Sequence, residues 1–152
     1  MTTPRARLAE LGLALPAVAT PLAAYVPATQ AGTLVFTAGQ LPLADGALLA
    51  TGKVGDAVSV EEATACARTC ALNALAAIDG LVGLDAVRRV VKVVGYVAST
   101  PDFTGQPAVV NGASELLRDV FGDAGAHARS AVGVVALPLD APVEVELIVE
   151  VQ

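Results

Sequence analysis

The chain has 152 residues, 55% hydrophobic and 16% charged, which is one domain's worth of sequence and too apolar for disorder. A formal net charge of −6 and only 3% aromatics, with no Trp, argue against a general nucleic-acid binder, which needs clustered Lys and Arg or stacking rings. The mean hydropathy of +0.65 is high for a small monomer, so a homo-oligomer is expected to cover the apolar strands.

The first element is a short helix over residues 4–12, with Thr3 as cap, Pro4 in the first turn and Gly12 as the stop. A Pro-containing linker follows through Pro21. Residues 24–30 and 33–38 read as two strands with a hairpin-like turn at Ala31-Gly32. Residues 41–56 are loop-rich, with turns at Asp45-Gly46 and Thr51-Gly52. Ser59-Val-Glu-Glu62 is a capping box: Ser59 caps while Glu62 reaches back. It opens a helix to about Gly80 whose inward face carries Ala63, Ala67, Cys70, Ala71, Ala74 and Ile78. Such small side chains let a helix lie close on a sheet.

Residues 86–99 form a long β-branched strand closed by Pro101. Residues 107–121 read as the next helix, with Val110, Ala113, Leu117, Val120 and Phe121 inward and Gly122 at its end. Strands over 129–137 and 143–151 flank a turn from Pro138 to Pro142. The order is β-β-α-β-α-β-β, an α+β protomer with two helices packed on one sheet. Residues 1–19 are the N-terminal helix and linker, and residues 20–152 the domain proper.

The apolar run from Val132 to Leu139 is far below the ~18 residues of a spanning helix. The longer stretch over 63–82 is interrupted by Arg68, Asn73 and Asp79. The N-terminus carries Arg5, Arg7 and Glu10 and lacks the apolar core of a signal peptide, so a cytoplasmic protein with no membrane partner is expected. Cys66 and Cys70 lie one helical turn apart. With His127 the sole histidine, they read as small buried hydrophobes rather than a metal or redox site.

Two charges stand out in the C-terminal strands. Arg129 opens the first, and Glu144 lies near the start of the second, in otherwise apolar surroundings. Such charges are costly unless they are paired or bind something. One alternative is a structural ion pair of Arg129 with Glu144 or Glu146 at a subunit interface. Another is a solvated strand face, since alternation puts Glu144, Glu146, Ile148 and Glu150 on one side.

Thr37-Ala-Gly-Gln40, Val110-Asn111, Ala128-Arg-Ser130, and Leu137-Pro138 followed by Val143-Glu-Val-Glu146 together resemble the RidA/YjgF family, over roughly residues 20–152 and as a divergent branch. Its members are enamine/imine deaminases, formerly labelled L-PSP endoribonucleases. The resemblance implies a chorismate-mutase-like protomer, a homotrimer with a central barrel, and sites at the subunit interfaces. It implies that Arg129 clamps a substrate carboxylate, that Glu144 orients the attacking water, and that Tyr25, Ala38, Gly39 and Asn111 line the substrate pocket. No metal or organic cofactor is implied, because an imine is already electrophilic.

Each of these residues also has a plainer reading. Tyr25 is an amphipathic core tyrosine, Gly39 a strand-end turn, and Asn111 a residue bonding its own backbone near a helix start. His127 reads as a loop or interface histidine, and Phe103 and Tyr96 as core packing rather than pocket walls. The chain also departs from the family pattern. Ala38 replaces a common Ser or Thr, Ala23-Ala24 replaces a Gly-Pro, and Ala131 stands where a cysteine sometimes occurs. The expected activity is hydrolysis of small 2-imino acids to 2-keto acids and ammonia. A non-catalytic carboxylate-binding or regulatory trimer is the alternative, and a ribonuclease ranks last.

Overall fold

The computed structural model describes residues 2–21 and 23–152. Met1 and Leu22, within the expected segments 1–19 and 20–152, lie outside the described residues. Helix α1 (Pro4–Glu10) starts as its sequence dictates, with the Thr3 side chain accepting from the Ala6 amide and Pro4 in the first turn. It docks through buried Leu8. The Arg5 guanidinium pairs with Asp79, and the Arg7 Nε donates to the Asp119 carbonyl at 2.9 Å.

The expected α+β architecture is present. Strands β1 (Ala28–Ala31), β2 (Leu34–Thr37), β5 (Val87–Ala98), β6 (Ala128–Val134) and β7 (Val143–Val151) form one sheet in the order β1-β2-β7-β5-β6. All neighbours are antiparallel except β5 and β6, whose parallel pairing needs a crossover that helix α3 (Gln106–Phe121) supplies. Strand β7 alternates without a fault: Val143, Val145, Leu147, Val149 and Val151 are buried, and Glu144, Glu146, Ile148 and Glu150 are half-buried on the other side.

The buried side packs under helix α2 (Val60–Val82) and α3. The Ser59–Glu62 capping box opens α2 with both reciprocal bonds formed. All six expected inward residues of α2 are fully buried. Glycines set the spacing of the layers. A Cβ at Gly112 of α3 would come 2.1 Å from the Thr64 carbonyl oxygen of α2, and a Cβ at Gly95 of β5 would come 2.4 Å from Val110 of α3. Helix α2 is long and apolar enough to cross a membrane by length and composition, but 56% of its most apolar window is buried in this core.

Three strand boundaries differ from expectation, and one small element is additional. Residues 24–27 do not belong to a strand: Pro27 has no amide to pair, and the Tyr25 amide turns back to the Ala23 carbonyl. The β1–β2 turn sits at Gly32-Thr33, where Gly32 takes φ +60°. Strand β6 stops at Val134, because its partner β5 ends opposite at Ala98, and Val135 is left 85% exposed. The loop-rich stretch holds a small hairpin of β3 (Leu43–Ala44) and β4 (Ala47–Leu48). Its turn is Asp45-Gly46, both at positive φ. Asn73, buried on α2, donates to the Leu41 and Leu43 carbonyls and pins this hairpin to the core.

Candidate active site in two halves

The first half grows from an irregularity between β2 and β7. Their pairing runs to Phe36 opposite Ile148 and resumes at Gln40 opposite Val145, so the register slips by one residue. Such a bulge bends the strand and re-aims the residues beyond it. The Thr37 hydroxyl accepts from the Leu147 amide that the slip would otherwise strand. The bend brings Gly39 over β7. A Cβ there would lie 2.3 Å from Glu144 Oε2, so bare backbone faces a carboxylate.

Burial, and then the nearby Glu146 carboxylate, raise the Glu144 pKa above its ordinary value. The Glu146 side chain accepts from the Tyr96 hydroxyl, a bond that with burial pushes the Tyr96 pKa up to about 12. Tyr25, 47% exposed, and Gly39 line one shallow cleft together with Thr20, Pro21, Pro27 and Gln40. Ala38 immediately precedes Gly39, and its amide donates to the Pro27 carbonyl.

The second half sits on edge strand β6. Arg129 is directly opposite Val93, a buried residue under the helices. Its side chain therefore rises on the helix side, where Nη1 donates to Asn111 Oδ1 at 2.7 Å and to Ser114 Oγ at 3.3 Å. Asn111 and Ser114 are three apart on α3 and share a face. Gly95, by admitting Val110, lets that face come down onto β6. Ser114 Oγ is 2.9 Å from His127 Nε2, and His127 Nδ1 is 2.6 Å from the Gly125 carbonyl oxygen.

Within one copy these halves do not meet. Glu144 is opposite Tyr96, on the side of the sheet away from the helices, whereas Arg129 is on the helix side. Among the described residues Arg129 makes no ion pair, with Glu144, Glu146 or any other carboxylate. The residues that the sequence brought forward thus divide into Tyr25, Ala38, Gly39 and Glu144 in one half and Asn111 and Arg129 in the other. Phe103 packs on the core, while Tyr96 lies on the open face beside the acidic row. Sequence reasoning did not single out Ser114. Its three-residue spacing from Asn111 was the available signal.

The family model described as "YjgF/chorismate_mutase-like, putative endoribonuclease" matches residues 5–151. The chain belongs to the YjgF family. The match takes in α1 as well as the sheet and both long helices. Among YjgF-like relatives, Protein TCP17 of Trypanosoma cruzi is 46% identical over 147 residues, 95% of this chain and 92% of that protein. The crystal structure of Atu1372 from Agrobacterium tumefaciens, of unknown function, is 44% identical with a TM-score of 0.91, covering 98% of this chain and 92% of that one. E. coli TdcF, solved with bound serine, is 26% identical with a TM-score of 0.62, covering 90% of this chain and 93% of its own.

Proposed function

We propose that this chain hydrolyses small 2-imino acids, and the enamines that tautomerise to them, at sites closed between copies in a homotrimer. The observation that carries the reading is the division of the site. A tethered arginine and a desolvated carboxylate beside bare backbone stand on opposite sides of one sheet, and on this reading a second copy completes either half. Serine on TdcF supports the ligand class, since it presents a carboxylate and an α-nitrogen as a 2-imino acid does.

The chemistry comes from the two groups. The planar fork of Arg129 grips the carboxylate and fixes where C2 lies. Glu144, made more basic by burial, takes a proton from water as the oxygen bonds to C2 and the C=N electron pair moves to nitrogen. Nitrogen takes that proton back from Glu144. The hydroxyl of the resulting carbinolamine then gives its proton through Glu144 to nitrogen. The oxygen electron pair forms C=O as the C–N bond breaks, and ammonia and the 2-keto acid leave. Water and imine are the only reactants.

The test is 2-keto acid release from 2-aminoacrylate and larger imines generated in situ. Arg129→Ala is expected to abolish acceleration, and Glu144→Ala to lower kcat by roughly 10²–10⁴-fold. No acceleration by the wild type over the uncatalysed rate would sink the reading. A carboxylate-binding trimer without turnover is the second reading, favoured by Ala38, which supplies no hydroxyl beside Gly39. Ribonuclease activity stays last, given the net charge of −6.

A further inference from the structure

We propose that Ser114 and His127 are positioning residues that present Arg129 to its ligand through a hydrogen-bond chain of fixed direction. The proposal deepens the carboxylate-clamp reading and rests on it for the ligand, but not for the chain of bonds. The direction starts at Gly125. A carbonyl oxygen can only accept, so His127 Nδ1 carries the hydrogen in their 2.6 Å contact. In the neutral ring Nε2 is then an acceptor, and the Ser114 hydroxyl must donate to it across 2.9 Å. That turns the serine lone pairs toward Arg129, whose Nη1 donates to Ser114 Oγ and to Asn111 Oδ1.

The anchor is rigid. Gly125 is buried, and a Cβ there would lie 2.5 Å from the Leu117 carbonyl oxygen, so this backbone is pressed against α3 with no space to swing. The far end of the chain is selective. Nη1 has two hydrogens, and both are committed. Among the described residues the Nε and Nη2 hydrogens have no protein acceptor. These form the side-on fork that matches the two oxygens of a carboxylate. The serine and histidine thus decide which edge of the guanidinium meets the ligand, without touching the ligand.

The experiment uses the full chain and 2-oxobutanoate, a small 2-keto acid, as probe. Affinity is measured by calorimetry, and Arg129 Nη rotation by ¹⁵N NMR, for wild type, Ser114→Ala, Ser114→Thr and His127→Ala, with thermal melts to check folding. The expected result is a roughly tenfold weaker Kd in Ser114→Ala, which loses the bond to the charged guanidinium, and in His127→Ala, which leaves the serine hydroxyl free to turn away from Arg129. Ser114→Thr, which keeps the hydroxyl, should bind within about twofold of wild type. The wild-type Arg129 Nη signals should be resolved, and they should average together in both alanine variants. Equal Kd and equal Nη signals in all folded variants would overturn the proposal. A wild type that ignores 2-oxobutanoate, yet whose Nη signals collapse in Ser114→Ala, would remove the clamp reading and leave the positioning chain standing.

Discussion

Glu144 and Gly39 form a pair in which each residue limits the other. Glycine at position 39 leaves room for the Glu144 carboxylate to lie against bare backbone. Gly39→Ala should displace the flexible Glu144 end rather than the fold, lowering kcat by roughly 10²-fold with the melting temperature little changed. Activity at the wild-type level with imine substrates would show that the carboxylate's place is not critical.

Glu144 also carries a stability signature. Its folded pKa is raised, so the native state holds the proton more tightly than the unfolded chain. The penalty for its charge is absent below the unfolded pKa and grows as pH rises through the folded one. Glu144→Gln should therefore be more stable than wild type at pH 7, and the difference should shrink as the pH falls toward 4. Urea melts at both pH values check this, and a pH-independent difference would contradict it.

At the level of elements, the two long helices come backbone-close where Gly112 meets Thr64. Gly112→Ala drives a methyl onto the Thr64 carbonyl at 2.1 Å, where a helix backbone and not a side chain must give way. An overpacking cost of about 1–3 kcal/mol is expected, read as a lower denaturation midpoint.

The same elements show what a sequence can and cannot reveal. Helix α2 was legible from its capping box and small-residue stripe, and β7 from nine alternating residues. Hairpin β3–β4 was not, because two-residue strands are too short to carry a period. Pro27 lay inside the stretch read as a strand, and its missing amide delays β1 only where the neighbouring strand would need it. Which side Arg129 takes was hidden as well. Strand β6 opens Ala-Arg-Ser-Ala, with no alternation, and its face is set by parallel register with β5 after the irregularity between Val90 and Lys92. Glu144 could be assigned a face from sequence, and Arg129 could not.

The whole molecule leaves its sheet half covered. Phe36 and Val132 are exposed on the side without helices, in company with Ile148 and the acidic row of β7. The proposed sharing of a site between copies makes a sharp prediction for mixtures. Arg129→Ala and Glu144→Ala chains, the first inactive and the second strongly impaired alone, should together exceed either variant when unfolded and refolded as a mixture. Every mixed assembly then contains an interface with an intact arginine from one copy and an intact glutamate from another. Keto acid release no greater in the mixture than in either variant alone would mean that both groups serve the same copy's site.

Gln40 and Val145 exchange both backbone bonds, at 2.8 and 3.0 Å, one residue away from Gly39. That double bond ties the floor of the Gly39 cleft to the centre of the sheet, while Asn73 ties the next loop to the buried side of α2. In deuterium exchange, the Gln40 amide should therefore behave like the core, opening only when the sheet opens. A ligand arriving there meets a surface already set. In the proposed reaction, any preference among imines of different length is then written into static shape rather than into a closing motion.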